Sequence, residues 1–454
     1  MLALISCDWK SVGLGCAFVV LATWARAAGE NEPALGRFPS FPSDVDGVKI
    51  AQVSSGRTIH RFFDTSPVSP SGRYLAVFRF PQETRSPQAG DVGDVVLVDL
   101  NAGTERVVAQ SRGFEMQLGA NVQWGTTDHE LYFNDVDVTS WTAFAVQLDP
   151  LTGSSRRMGG TVFMASPDGR QLASYNLIQS RRAQVGYGVI VPEDKMPPRN
   201  IGPVDHDGVE LTDVTTGKMH RVLSLREIYD RSVPSIAIRN PQDFEYYCFQ
   251  VKWNPQGTRL LTTVQWSPRT DQSPTAAAAG VSRRRSVITF KPDGTDIHTA
   301  VTPEQWARGG HHVNWMPDGE HLSMNLDVDA QPGLELISVR YDGSDMKVIF
   351  KPGSGHPSMQ PQGQRYFVTD AYPDEPVAAH DGTSPLRFIN LDRQTEQTLA
   401  QVFVSMTAGE FRIDPHPAWD RSGRYVVFNG FVDHTRNVFM ADLSAVLPAI
   451  KPQP

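Results

Sequence analysis

A short motif recurs seven times along the chain, and this repetition limits the folds that the sequence can adopt. In its clearest copies a Trp or Met precedes a turn containing Gly, and a strand of alternating apolar residues follows, as in HVNWMPDGEHLSMNL and HPAWDRSGRYVVFNG. The aligned positions are Val68, Trp124, Ala165, Trp253, Trp315, Met359 and Trp419. Two further strands follow most copies, and four antiparallel strands with tight turns make one propeller blade. We therefore predict an all-β fold, a seven-bladed β-propeller.

The last repeat supplies only three clear strands, whereas an isolated strand at residues 48–53 precedes the first repeat. We expect this N-terminal strand to complete the last blade, because such pairing removes the open edge of the ring. The predicted propeller domain spans residues 47–446. A Pro-rich linker over residues 28–46 precedes it, and a tail over residues 447–454 follows it.

The first 27 residues are typical of a signal peptide. Lys10 precedes an apolar run at residues 12–24, and Ala-Arg-Ala at 25–27 provides a cleavage site. Cleavage would remove two of the three cysteines and leave Cys248 without a disulfide partner. No later stretch is long and apolar enough to span a membrane. The sequence thus predicts a periplasmic or secreted protein with no stable membrane insertion after cleavage.

Composition and motifs argue against several classes of function. The net charge of −8 disfavours a nucleic-acid binder. The chain has no G-x-S-x-G elbow and no Gly-rich phosphate loop. Two long connections, at residues 165–253 and 269–285, are expected to flank one mouth of the propeller, the first with a short helix near residues 225–229.

Histidines occupy the same position in three consecutive repeats, three residues before the aligned Trp or Met. In a propeller this position lies at one mouth of the central channel. Its seven occupants are Thr65, Asn121, Val162, Gln250, His312, His356 and His416. Asp414 stands two residues before His416, so both side chains should point the same way on a strand.

This convergence predicts a metal site to which the three histidines, His312, His356 and His416, and the carboxylate of Asp414 contribute. Neutral imidazoles and a carboxylate suit a divalent metal, Mn in the first place, with Zn or Fe as alternatives. The histidines could instead bind only water and loop backbone. Asp370 and Asp374 could be ligands or turn residues.

The segments HVNWMPDG, SGHPSMQPQGQRYFVTDAYPDE and RIDPHPAWDRSGRYVVFNG resemble those of oligogalacturonate lyases, which are seven-bladed propeller enzymes. More broadly they are similar to TolB-like propellers. The resemblance covers residues 250–443 best. It implies that His356 and His416 are metal ligands, that His312 is catalytic and that Arg285 lies near the family's catalytic Arg. Asp414 stands where the family has a His, and Phe411 falls near the family's Gln ligand.

The resemblance implies β-elimination on uronate-containing oligosaccharides. Arg285 would be the base, provided that burial and positive neighbours lower its pKa. Arg283 and Arg284 could supply that field or bind the acidic sugar, and Gln250 and Asn121 are expected at the same mouth as substrate contacts. The alternative is a non-catalytic TolB-like propeller that binds a protein or glycan, because one fold can serve both functions.

Overall fold

The computed structural model describes residues 32–271, 280–329, 333–363, 365–404 and 411–448. These residues form seven antiparallel sheets arranged as the blades of a propeller, which confirms the predicted fold class. Six sheets have four strands and the seventh has five. The predicted signal peptide lies outside the described residues. Among the described residues, no helix is both long and apolar enough to cross a membrane.

The strands are numbered along the chain, and two of them precede the first blade: β1 (Ser40–Phe41) and β2 (Lys49–Gln52). The first three blades comprise β3–β6 (Thr58–Ile59, Tyr74–Arg79, Gly93–Asp99, Thr104–Ser111), β7–β10 (Gln123–Trp124, Leu131–Asp137, Thr142–Leu148, Ser155–Arg157) and β11–β14 (Met164–Ala165, Gln171–Tyr175, Gly208–Asp213, Met219–Ser224). The next three comprise β15–β18 (Phe244–Trp253, Leu260–Pro268, Arg284–Phe290, His298–Val301), β19–β22 (Gly310–Trp315, His321–Leu326, Leu334–Arg340, Lys347–Gly353) and β23–β26 (Ser358–Met359, Tyr366–Thr369, Thr383–Asn390, Thr395–Phe403). The seventh contains β27–β29 (Ala418–Trp419, Tyr425–Val432, Thr435–Asp442).

Helices are short and lie in the connections between strands. In the part of the chain that the structure describes they are α1 (Ser180–Ala183), α2 (Leu225–Arg231), α3 (Pro303–Trp306) and three 3₁₀ turns (Leu35–Arg37, Glu193–Lys195, Pro241–Asp243). The helix expected near residues 225–229 is therefore present as α2. It begins with a capping box, in which Ser224 and Glu227 each bond the other's backbone N–H.

Strands from both ends of the described chain complete the seventh blade. β2 pairs antiparallel with β29, as expected for the isolated N-terminal strand. β1 pairs with β2 and adds a fifth strand to the blade. Ser40–Phe41 lies within the segment expected to be a linker, so part of that segment belongs to the last blade.

The first blade departs from the predicted repeat. Its innermost strand is β3, whereas Val68 makes only an isolated bridge with Leu75. The intervening segment, residues 60–67, carries Phe62 and Phe63, which are fully buried against the histidine rings of other blades. The segment therefore fills the axial channel.

The core follows from strand periodicity and the repeat. Each blade buries its middle strands between its neighbours, and β15 is buried at all ten positions. Cys248 lies within that strand as a buried free thiol. The innermost strands of adjacent blades contact one another, so residues at the start of these strands meet at one mouth of the channel.

Candidate functional site

The histidine mouth, which we define as the end of the channel at the start of the innermost strands, is built by irregular backbone. His312 and His416 have positive φ angles of 60° and 48°, and Gln250 has one of 61°. The pairing of β15 with β16 and of β19 with β20 shifts register at these points, as at a β-bulge. Bulges re-aim side chains, which explains how this position turns toward the axis.

Three of the predicted ligands lie together. His356, Asp414 and His416 each place one ligand atom within 4.8 Å of the others. The rings of His356 and His416 are 4.3 Å apart in an edge-on arrangement, and His416 Nε2 lies 3.8 Å from Asp414 Oδ2. The last distance is too long for a hydrogen bond. Two atoms that bind one ion at about 2.1 Å lie about 3.0–3.5 Å from each other. His416 Nε2 and Asp414 Oδ2 would therefore need to move only slightly to bind one cation together.

Asp370 fixes the orientation of the His356 ring. Its carboxylate oxygens lie 3.0 and 2.9 Å from His356 Nδ1. Because a carboxylate only accepts, Nδ1 donates to Asp370, which leaves Nε2 as the ring nitrogen that could bind a metal. Burial opposes ionisation of Asp370, but His356 lowers the pKa of Asp370 below its usual value. A carboxylate behind a histidine is the usual support of a metal-binding imidazole.

The free ring nitrogens at this mouth are buried without partners. His356 Nε2 and both ring nitrogens of His416 have no hydrogen-bond partner among the described residues. His416 is completely buried, and its pKa is lowered well below its usual value, first by burial and then by His356. Buried polar atoms are rarely left unpaired, and neutral imidazole is the form that binds metals.

His312 is held in one tautomer beside these residues. Its Nδ1 donates to the Gly355 carbonyl at 2.7 Å, so Nε2 accepts the hydroxyl of Tyr372 at 3.2 Å. Its ring stacks on His356 with centroids 3.7 Å apart. Burial first, and His356 second, lower the pKa of His312 well below its usual value. His312 is therefore a neutral hydrogen-bond acceptor at physiological pH.

A narrow pocket opens over His312. The pocket has a volume of about 90 Å³, and its walls include Arg285, Tyr372 and Gln184. Burial, and then the charge of Arg283, lower the pKa of Arg285 to about 10. Arg285 and His312 thus face one cavity, and the pKa of Arg285 moves in the direction that a base requires.

The arginine cluster is divided by the strand that carries it. Arg284 and Arg285 lie in β17 rather than in a loop, and neighbouring strand residues face opposite sides of a sheet. Accordingly Arg285, which lies opposite Gln265 in the neighbouring strand, lines the pocket, whereas Arg284 does not line it. Arg283 donates to Gln184 at 3.1 Å, which ties the two long connections together over the histidine mouth. Strand alternation therefore directs Arg284 away from this pocket, which gives the predicted substrate contact at Arg284 no support.

Of the two other predicted substrate contacts, Gln250 and Asn121, only one lies at this pocket. Gln250 lines the pocket. Asn121 does not line it, because its amide is bonded to Glu115 and Arg61. Thr65 was expected at this mouth but lines the opposite one, since the inserted segment displaces it.

Several residues that the repeat did not reveal complete the site. Arg412 donates to Asp414 at 3.1 Å and lies near the ring of Tyr187. Burial alone would lower the pKa of Arg412, but Asp414 raises it. Phe62 forms the floor, with its ring centroid 4.6 Å from that of His416. Asp370 and Tyr372 come from the TDAYPDE segment, for whose aspartates the sequence predicts only a ligand or a turn role.

The donor set at this mouth fits a divalent cation. His356, His416 and Asp414 would hold the ion, and their chemistry suits Mn, Zn or Fe. Asp370 would support one of the two imidazoles. Phe411, which stands near the position of an extra ligand in the oligogalacturonate lyases, has no ligating atom and packs against an apolar cluster of neighbouring blades.

The fold and this mouth together define a seven-bladed propeller with a histidine- and carboxylate-lined axial site. Among solved structures, the chain is similar to an oligogalacturonate lyase in complex with manganese, at 15% identity and a TM-score of 0.59, over 91% of this chain and 96% of that one. It is also similar to an oligogalacturonate lyase from Vibrio parahaemolyticus, at 13% identity and a TM-score of 0.59, over 90% and 98%. TolB from Acinetobacter baumannii matches at 13% identity and a TM-score of 0.39, over 78% and 67%.

At these identities the similarity concerns the fold. No family model matches the chain, and no curated protein sequence matches it. The sequence resemblance to oligogalacturonate lyases is thus found again among the structural neighbours.

Proposed function

We propose that the protein is an exported, metal-dependent lyase that cleaves uronate-containing oligosaccharides by β-elimination. The observation that carries this proposal is that a candidate metal site and a pocket lie side by side at one mouth of the channel. Buried, unpartnered imidazole nitrogens lie beside Asp414, and a pocket containing Arg285 and His312 opens next to them. The structural similarity to an oligogalacturonate lyase in complex with manganese supports the same activity and the same metal.

A divalent cation bound at His356, Asp414 and His416 would neutralise a substrate carboxylate and make the neighbouring C–H proton more acidic. Arg285 is the candidate base, because burial and Arg283 lower its pKa to about 10. His312 accepts a hydrogen bond at Nε2 and can orient or receive a proton there. Gln250 and Arg283 would hold the acidic sugar.

The experiment is an assay for unsaturated uronate products with Mn²⁺ and oligogalacturonides, together with elemental analysis of the purified protein. Arg285→Gln should lower turnover by about 10²–10⁴-fold, the usual contribution of a positioned base. Arg284→Gln is the matched control, since its side chain lies on the opposite face of the same strand. It should keep turnover within about twofold of the original, as expected for a surface change away from the site.

The alternative function, non-catalytic binding of a protein or glycan, predicts a different pattern. In that case no uronate polymer yields an unsaturated product, and the protein carries no stoichiometric metal. Equal turnover of the Arg285→Gln and Arg284→Gln variants would leave a lyase possible but would remove Arg285 as its base.

A further inference from the structure

Residues 184–188 lie at the pocket over His312 and help to close it. Gln184 and Tyr187 from this segment form part of the pocket wall. The pocket has a volume of about 90 Å³, whereas small-molecule sites usually occupy about 300–1,000 Å³. In this conformation the pocket is therefore too small for a ligand of ordinary size, and part of its wall has to move before such a ligand can enter.

A second cavity lies against the same segment. It has a volume of about 170 Å³, and its wall includes Val185, Gly186, Tyr187 and Gly188. Tyr187 lines both cavities. Displacement of Tyr187 would thus join them, and their combined volume comes close to the lower end of the usual range. Residues 184–188 are therefore the part of the wall whose movement would create a site of ligand size.

Contacts from distant parts of the chain hold residues 184–188 in place. None of the strands in the described residues includes this segment. The ring of Tyr187 packs edge-on against Phe249, with centroids 5.0 Å apart. Hydrogen bonds reach the segment from Arg283, Arg412, Gln117 and Glu115. A segment that is held by single bonds rather than by a sheet can open without unfolding of the whole domain.

Glycines stand on both sides of Tyr187. Gly186 and Gly188 have φ angles of 85° and 90°, which other residues rarely adopt. A Cβ atom at Gly188 would clash with the backbone of Arg181. Hinges are formed by a few loop residues that absorb large changes in φ and ψ, often small ones. The Tyr187 ring thus lies between two positions at which the chain can turn.

Glu115 holds the end of the segment. It is buried, and one carboxylate oxygen accepts the Gly188 N–H while the other accepts the amide of Asn121 at 3.2 Å. Asn121 also accepts a bond from Arg61, the nearby cation. Burial raises the pKa of Glu115 to about 7, and the bond from Gly188 opposes this rise, so the carboxylate is mainly ionised at pH 8.

We propose that residues 184–188 are a lid, which opens to admit a ligand to the pocket over His312 and which Glu115 latches in the closed position. Opening would move Tyr187 away from Phe249 and join the two cavities. Closing would return the ring and exclude water from the pocket. That the ligand is an acidic oligosaccharide rests on the proposed function, whereas the movement of the lid does not.

Thiol labelling with iodoacetamide at pH 8 measures the opening. Thr263 lies in β16 and lines the pocket, so Thr263→Cys places a thiol under the lid with little change in size. Cys248 is the matched control, because it is buried in the neighbouring strand and does not line the pocket. Mass spectrometry of the digested protein measures each cysteine separately. We expect the introduced thiol to react at least about 10-fold faster than Cys248, since a lid opens more often than the whole fold.

Loss of the latch should open the lid. Glu115→Gln keeps the shape of the side chain, but an amide has one acceptor oxygen where the carboxylate has two, so Gly188 or Asn121 loses its partner. We expect the introduced thiol to react about 10–100-fold faster in this variant, as for the loss of a hydrogen bond to a charged group, and Cys248 to react as before. Glu193→Gln, at an exposed position in the same connection, should change neither rate.

Hydrogen exchange of the intact protein gives a second measurement, which needs no substitution. The amide of Gly188 should exchange at least about 10-fold faster than the amides of β15, which is buried at all ten positions. Equal rates would mean that residues 184–188 open only when the whole fold opens, and would overturn the proposal. Circular dichroism would verify that the variants fold.

The proposal is also overturned if the introduced thiol and Cys248 react at equal rates, or if Glu115→Gln accelerates both reactions alike. None of these results depends on turnover. A protein whose lid opens but that yields no unsaturated product would retain the lid and lose the lyase. A protein that forms the product while Glu115→Gln leaves the labelling unchanged would retain the lyase and lose the latched lid.

Discussion

The two mouths of the channel are built from the two ends of the same innermost strands, yet they differ in chemistry. At the histidine mouth, His312 lies at a bulge, His416 has a positive φ angle, and buried ring nitrogens of His356 and His416 lack partners among the described residues. The opposite mouth is lined by four indoles, and three of them, those of Trp124, Trp315 and Trp419, donate to a backbone carbonyl of the preceding blade. In these repeats one end of the innermost strand therefore joins adjacent blades, while the other end is free to carry chemistry.

The strongest test of this difference is removal of a proposed ligand. His416→Ala should abolish stoichiometric metal, with bound metal falling from about one equivalent to below about 0.1, because only His356 and Asp414 remain. His129→Ala is the matched control, since His129 is an exposed histidine bonded to Asp149 away from the axis. Elemental analysis after dialysis measures both. Equal metal content in the two variants would contradict the site.

The second test concerns the barrier between the mouths. Phe62 is fully buried against all three histidine rings. Phe62→Ala should lower the free energy of unfolding by about 3–5 kcal/mol, as is usual for a buried Phe. Phe403→Ala, at an exposed position, should change it by about 0.5 kcal/mol or less. Chemical denaturation measures both. A small loss at Phe62 would show that the channel is not sealed by packing.

The third test concerns the support of the metal site. Asp370→Asn should weaken metal affinity by about 10–100-fold, because the amide no longer provides a negative acceptor behind His356. Asp374→Asn is the control, since Asp374 is exposed in the same segment. Competition with a chelator gives both affinities. Should Asp374→Asn weaken binding equally, the effect belongs to the segment and not to the His356–Asp370 pair.

The smallest effect, when counted per pH unit, is expected from protonation of His60. His60 lies below the histidine mouth, and burial lowers its pKa to about 3. Between pH 6.5 and 3 the unfolded chain binds a proton at His60 that the folded chain does not. The free energy of unfolding should therefore fall as pH decreases, by about 1.4 kcal/mol per pH unit at most for this group. Denaturation of the metal-free protein and of the His60→Gln variant at several pH values would check this. The free energy of unfolding should depend less steeply on pH in the variant. Identical slopes would contradict the assignment.

The repeat made much of the molecule predictable. Seven aligned turns specify seven blades. Residues at the same repeat position in different blades must then lie at the same mouth of the channel. This is why His312, His356 and His416 could be placed together from sequence. Their proposed roles stay predictions. Closure by the strand at residues 49–52 followed from counting strands in the last repeat.

The remaining features of the site could not be predicted from the repeat, because they depend on inserted segments and on the direction in which side chains point. Phe62 lies in a segment without repeat register, so no alignment shows that it fills the channel. Asp370 and Tyr372 follow the end of β24, where an Asp is typical of a turn, so the sequence does not single out either residue as part of the site. A run of three arginines after a long connection predicts a loop, but Arg284 and Arg285 lie in a strand, whose geometry directs them to opposite faces.

The seventh blade joins residues 49–52 to residues 435–442, and the same blade begins just after Asp414 and His416. A cation held by these two side chains and His356 would link the blade that closes the circle to its predecessor. During synthesis, the axial site could not assemble until Asp414 and His416, in the last blade, had left the ribosome. A cation that binds only the assembled site would then stabilise the closed ring over the open one.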